Sequence, residues 1–250
     1  MIPEPLIQVR DLSKAYRGKI EPVLNGLNLD VQPGEFYGIL GPNGAGKTSL
    51  MNILCGLVPY KQGTVRVTGF SPADFNALSK SRIGLVPQDI ALYDKLSARE
   101  NLHFFGSAYR IPHKELRERT EHYLRIFGLE KHASRPLKTY SGGMKRRVNL
   151  IAGILHGPDL LFLDEPTVGI DVQSRNVIVE FLAEYNRAGR TVFYTSHHMR
   201  EAETLCSRVG IIDSGVIIAD GAPAELMRQH ACETLESMFL KLTGKDLRDE

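Results

Sequence analysis

The 250-residue sequence predicts an α/β fold built on a largely parallel sheet, with a block of helices inserted into it. Three observations predict this. Short apolar runs that read as strands alternate with helix-patterned runs toward the C-terminal end, the pattern of a parallel sheet. One strand-like run, "EFYGIL", leads straight into the glycine-rich "GPNGAGKT" and then into a helix pattern. From about Ser97 to His156 the pattern is helical, with no convincing strand.

The elements follow in order. "LIQVRDLSKAY" and "VLNGLNLDV" alternate apolar and polar residues and read as strands. "EFYGIL" is a short apolar strand, and "KTSLMNILCGL" reads as a helix ending near Gly56. "GTVRVTG" and "RIGLVPQ" are further short strands. The helical block runs through "SARENLHFFGSAYR" and "HKELRERTEHYLRIFGL" to "MKRRVNLIAGIL". Strands return at "DLLFLDEP", "TVFYTS", "RVGIID" and "GVIIADG", with helix patterns at "DVQSRNVIVEFLAEYNRAG" and "HMREAETLC". "TLESMFLKLTGK" reads as a closing amphipathic helix.

Composition excludes several classes. Hydrophobic residues make up 42% and charged residues 24%, ordinary for a globular chain with a sizeable core. The net charge of +2 gives no reason to expect nucleic acid as a partner. Cys55, Cys206 and Cys232 are too scattered for a disulfide framework or a zinc site and read as reduced thiols. No apolar run approaches the roughly 20 residues of a membrane span, and the N-terminus lacks a signal-peptide pattern. The expectation is a soluble chain that reaches a membrane only through another protein.

The chemistry begins at "GPNGAGKT". Gly41, Gly46, Lys47 and Thr48 match the P-loop pattern, in which backbone amides wrap phosphates. Lys47 reaches the terminal phosphates and Thr48 supplies a hydroxyl for Mg²⁺. "LLFLDEP" is an apolar strand ending in Asp164 and Glu165, at the carboxyl edge where α/β sheets bind ligands. Asp164 can serve the Mg²⁺ shell, and Glu165 can orient or deprotonate an attacking water. Gln88 follows "RIGLVP" and offers a neutral amide to Mg²⁺ or water, though alone it reads more readily as an exposed loop residue. His197 follows "TVFYTS" and can donate a hydrogen bond to a γ-phosphate. Its neighbour His198 begins the helix pattern instead. Tyr16 suits either a stacked base or the core.

"YSGGM" is a second helix start suited to an anion: Ser141 is a good N-cap, and Gly142 and Gly143 expose amides. One helix N-terminus contributes only about 0.3–1 kcal/mol toward an anion, so it completes a charged site rather than making one. Two chains arranged head to tail would let each "YSGGM" cover the other's γ-phosphate, with two nucleotides per dimer.

In this set and order (Tyr16, "GPNGAGKT", Gln88, "YSGGM", "LLFLDEP", "VGID", "SHH") the chain resembles the ATP-binding cassette (ABC) ATPases over nearly its whole length. The resemblance implies a P-loop NTPase core with an N-terminal antiparallel β subdomain and an inserted α-helical subdomain. It divides the chain into a nucleotide-binding core at 1–96 and 157–232, a helical signature subdomain at 97–156 and a helical tail at 233–250. It implies ATP contacts at Gly41, Pro42, Asn43, Gly44, Ala45, Gly46, Lys47, Thr48 and Ser49, with Tyr16 on the adenine. Ser141, Gly142, Gly143 and Asp171 would complete the site across the dimer. Catalytic roles fall on Glu165, His197, Lys47 and Gln88, and Mg²⁺ on Thr48, Gln88 and Asp164. "YSGGM" departs from the common "LSGGQ", and "VGID" from "SALD"; both keep the Ser-Gly-Gly and the Asp. With the tail, these departures are similar to export ATPases of the bacterial drug, polyketide or polysaccharide type. The implied partners are a second copy and an integral membrane permease, at the cytoplasmic face of the inner membrane. An importer ATPase, or a soluble ABC protein of translation or DNA repair, is the alternative. A soluble factor usually shows a second cassette or a long coiled coil, and this chain has neither.

Overall fold

The computed structural model describes residues 4–18 and 21–244. The last six residues of the predicted tail lie outside this range. A three-stranded antiparallel sheet, β2-β1-β4, is made by β1 (Ile7–Lys14), β2 (Leu24–Val31) and β4 (Gln62–Val67). A six-stranded sheet has the order β5-β6-β7-β3-β8-β9. Its strands are β3 (Phe36–Leu40), β5 (Ile83–Val86), β6 (Leu160–Asp164), β7 (Thr191–Ser196), β8 (Arg208–Asp213) and β9 (Val216–Gly221).

Every residue of β3, β6 and β7 is buried, because both faces of this sheet are covered. Alternate side chains therefore enter two cores. Tyr37, Ile39, Phe162 and Phe193 pack under the antiparallel sheet and against α1 (Lys47–Leu54). Phe36, Leu40, Leu161, Leu163 and Tyr194 pack on the opposite side, among residues of the remaining helices.

Between β5 and β6 lie α3 (Ala98–Ala108), α4 (His113–Ile126) and α5 (Gly142–Ile154), where the sequence predicts helices only. Ser97 and Glu100 form a reciprocal capping box that starts α3. After β6 come α6 (Val172–Arg187), α7 (Met199–Leu205), α8 (Pro223–Gln229) and α9 (Leu235–Thr243). Leu235, Met238 and Phe239 dock α9 into the helix-side core.

Three features differ from the sequence reading. "GVIIADG" does not extend the parallel order: β9 returns antiparallel to β8. Ser214 and Gly215 both have positive φ (49° and 80°), as a two-residue hairpin turn with right-handed twist requires. The short α2 (Ala77–Ser81) and α8 were not predicted: α2 has five residues, too few for a helical period to show, and the signal of α8 is a start signal, Pro223 in its first turn. His198 stands before α7 as its N-cap rather than inside it.

The register positions the site. Leu40 lies beside Ser196, Asp164 beside Thr195, and Val86 beside Leu163. Strands β3, β5, β6 and β7 thus end near one edge, and "GPNGAGKT", Gln88, Asp164–Glu165 and His197 emerge from it.

Candidate nucleotide site

The glycine-rich loop joins β3 to α1. Gly44 and Gly46 take positive φ (80° and 111°), and a Cβ on Gly46 would sit 2.7 Å from the Val23 carbonyl oxygen. The turn aims the first-turn amides of α1, which have no acceptor within the helix, at the sheet edge. The Ala45 carbonyl accepts from Gly215 N–H at 3.1 Å, so the β8–β9 turn braces the loop. Lys47 donates to the carbonyls of Gly41 (2.7 Å) and Pro42 (3.1 Å). Burial lowers its pKa, partly opposed by Glu165 and Asp164. Thr48 is exposed on the first turn. The Tyr16 hydroxyl lies 3.2 Å from Ser49 Oγ and Lys14 lies over its ring, so Tyr16 flanks the loop rather than entering the core.

Asp164 is buried, and desolvation raises its pKa; Thr195 Oγ1 donates to it at 2.5 Å, which acts the other way. Glu165 has φ of 48°, a left-handed conformation that ordinary side chains rarely adopt and that clusters at functional sites. Its amide reaches Thr195 O at 3.2 Å. His197 Nδ1 lies 3.3 Å from one Glu165 carboxylate oxygen, and Gln88 Nε2 lies 3.5 Å from the other. The hydrogen bond from His197 lowers the Glu165 pKa despite burial, so the carboxylate is ionised at neutral pH and able to accept a proton. The His198 ring stacks obliquely on that of His197, with centroids 4.4 Å apart, and its pKa is lowered, chiefly by burial.

Lys47, Gln88, Asp164, Glu165 and His197 therefore meet at one edge. Ser141 and Asp171 instead bond within their own helices. Ser141 Oγ accepts from Met144 N–H at 3.2 Å as the α5 N-cap. Asp171 caps α6, its two carboxylate oxygens accepting from Ser174 N–H and Oγ, each at 2.8 Å. Ser141 and Gly142 are exposed, but Gly143 is buried against this second cap. A Cβ on Gly143 would collide with Ser174 Oγ and lie 2.6 Å from Ser174 Cβ. The two adjacent glycines thus have different causes: Gly142 is open, and Gly143 admits α6.

Sequence reasoning missed Thr195 and Arg146. Thr195 is a fully buried polar residue next to the end of β7, followed by Ser196, and a hydroxyl there was its signal. Arg146 looks like one more charge in "KRR", yet it is buried.

Comparison with known proteins gives the family of the chain. The family model described as ABC transporter matches residues 24–168, more than half of the chain. The chain belongs to the ABC transporter family. Among ABC proteins it is 44% identical to the linearmycin resistance ATP-binding protein LnrL of Bacillus subtilis, covering 92% of this chain and 73% of that one. It is 38% identical to Nod factor export ATP-binding protein I of Cupriavidus metallidurans, covering 92% and 76%. A solved ATP-binding subunit of an ABC transporter superposes with a TM-score of 0.87 at 28% identity, covering 95% and 99%. A dimeric ATP-binding cassette in a post-hydrolysis state, bound to ADP and phosphate, gives 0.79 at 26% identity, covering 86% and 98%. This ABC chain is an ATPase, and ATP is its nucleotide. Among the described residues no helix is long and apolar enough to cross a membrane.

Proposed function

We propose that this ABC ATPase drives export through a separate membrane permease, working as a head-to-tail dimer on the cytoplasmic face. The convergence of Lys47, Gln88, Asp164, Glu165 and His197 at one sheet edge carries the chemical half of this reading. Lys47 leaves the loop carbonyls for the phosphates, and Glu165 takes the proton of the attacking water while His197 holds Glu165 and contacts the γ-phosphate. The hydroxyl of Thr48, the carboxylate of Asp164 and the amide oxygen of Gln88 would supply oxygen donors of the kind that suits Mg²⁺. Bound there, Mg²⁺ would neutralise charge on the phosphate oxygens.

The exposed Ser141–Gly142 start of α5 supports the dimer, being an anion site with no anionic partner in its own helix. A dimeric neighbour and relatives named for Nod factor export and linearmycin resistance point the same way. For the permease, Tyr93 and Phe104 are exposed and meet edge to face at 5.1 Å. Phe104 also lines an open groove of about 670 Å³ together with Leu96, Glu100 and His103.

Glu165→Gln tests the chemistry. Fluorescent-nucleotide titration should show ATP bound with near wild-type affinity, while phosphate release falls at least about 100-fold, since an amide cannot accept the proton. Wild-type turnover in this variant would remove Glu165 from the base role.

A further inference from the structure

Arg146 stands on the second turn of α5, buried to 6% exposure. Its Nη1 donates to the backbone carbonyls of Gln88 (2.5 Å) and Pro87 (3.3 Å). One turn on, Asn149 donates to the same Pro87 carbonyl at 3.3 Å, and Lys145 pairs with Asp94 at 2.6 Å. The start of α5 is thus fastened along the segment that carries Gln88. The Gln88 side chain in turn reaches Glu165. A neutral donor such as Asn149 could satisfy a loop carbonyl alone, and burying a guanidinium is costly unless its charge is used. Here the surrounding charges are those of Asp89, Asp164 and Glu165. Arg146 Nε is also buried without a hydrogen-bond partner, so the guanidinium is held by the loop on one edge only.

We propose that Arg146 is a positioning residue that ties the Ser141–Gly142 start of α5 to the Gln88 backbone. Engagement of that helix start then sets where the Gln88 amide stands relative to Glu165. This rests on the ATPase and dimer reading above and adds a route inside one chain from the helix start to the base. Both carbonyls accept from the one nitrogen Nη1, which the planar guanidinium holds in place more rigidly than a flexible lysine stem would hold its ammonium.

The test is a double-mutant cycle on the full chain with Arg146→Gln, Gln88→Ala and the pair, measuring kcat, KM, fluorescent-nucleotide affinity and Tm. Arg146→Gln should lower kcat about 10-fold or more, with nucleotide Kd and KM changed less than about 3-fold. Arg146→Lys should recover part of kcat. Arg146 acting through Gln88 makes the double variant no slower than Gln88→Ala alone, within about 2-fold. Multiplicative losses, an unchanged kcat, or a kcat that falls only in step with Tm overturns the proposal. If Arg146→Gln does not fold, the cycle is run with Arg146→Lys; loss of fold in both makes Arg146 a core cation and overturns it too. A wild-type chain without ATP turnover removes the underlying reading and this one together, whereas wild-type turnover with independent losses removes this one alone.

Discussion

His197 and His198 are adjacent imidazoles with unlike surroundings. His197 follows the last residue of β7 and touches Glu165, whereas His198 is the N-cap of α7 and its amide donates to Ser196 Oγ at 2.8 Å. A hydrogen bond to a charged group is typically worth about 1.5–3 kcal/mol, so His197→Ala should slow steady-state hydrolysis roughly 10- to 150-fold. His198→Ala should change it less than about 3-fold, since the ring packs on His197 and its charge is the smallest of the influences on Glu165. The reverse pattern at saturating ATP would move the γ-phosphate contact to His198. The glycine pair separates in the same way. Gly143→Ala forces a methyl against Ser174, an overpacking of about 1–3 kcal/mol. At about 2–4 °C per kcal/mol for a chain of this size, Tm should fall by roughly 2–12 °C. Gly142→Ala meets no atom closer than 4.0 Å and should leave Tm within about 2 °C while weakening ATP-dependent assembly. Equal Tm losses in both would mean that Gly143 is not pressed against the α6 cap.

At the scale of elements, the segment from Gln88 to Ser97 connects the sheet edge to α3. Asn101, fully buried, pins it by accepting from Tyr93 N–H at 2.8 Å and donating to Tyr93 O at 3.1 Å. In "DIALYDKLSARE" the apolar Leu92, Tyr93 and Leu96 stand among charged residues, which by itself does not say which of them are exposed. The structure separates them: Leu92 packs partly buried on the helix-side core, Leu96 is half-buried and Tyr93 is exposed. Tyr93→Ala and Leu96→Asp should therefore leave the free ATPase within about 3-fold of wild type and abolish its stimulation by reconstituted permease. Full coupled transport in both variants would place the permease elsewhere. Strand ends, the helical block and α1 were legible because each carries a local signal: a glycine run, a helical period or an abrupt carboxylate. The burial of Arg146 carries none, since it depends on which element lies opposite, whereas the direction of β9 does carry one: the two-residue Ser214–Gly215 link is too short to join parallel strands.

On the scale of the whole molecule, one chain presents its phosphate loop at the sheet edge and its Ser141–Gly142 start on a separate helix. Size exclusion with light scattering should find the wild type largely monomeric without nucleotide and Glu165→Gln dimeric in saturating Mg-ATP, because closure remains while its release step is lost. A Glu165→Gln chain that stays monomeric, even with permease present, would end the composite-site reading.

The sequence by itself determined the parallel α/β core, the helical insertion and the residue types at each strand end. Those follow from local periodicity and from spacings along one chain. Only the tertiary structure decided that Glu165 sits between Gln88 and His197, that Thr195 supports Asp164, that Gly143 is small because of Ser174, and that Arg146 grips the Gln88 backbone. Each of these joins residues from different elements across parallel strands or packed helices. Such pairs are set by register and packing distance, which no window of sequence contains.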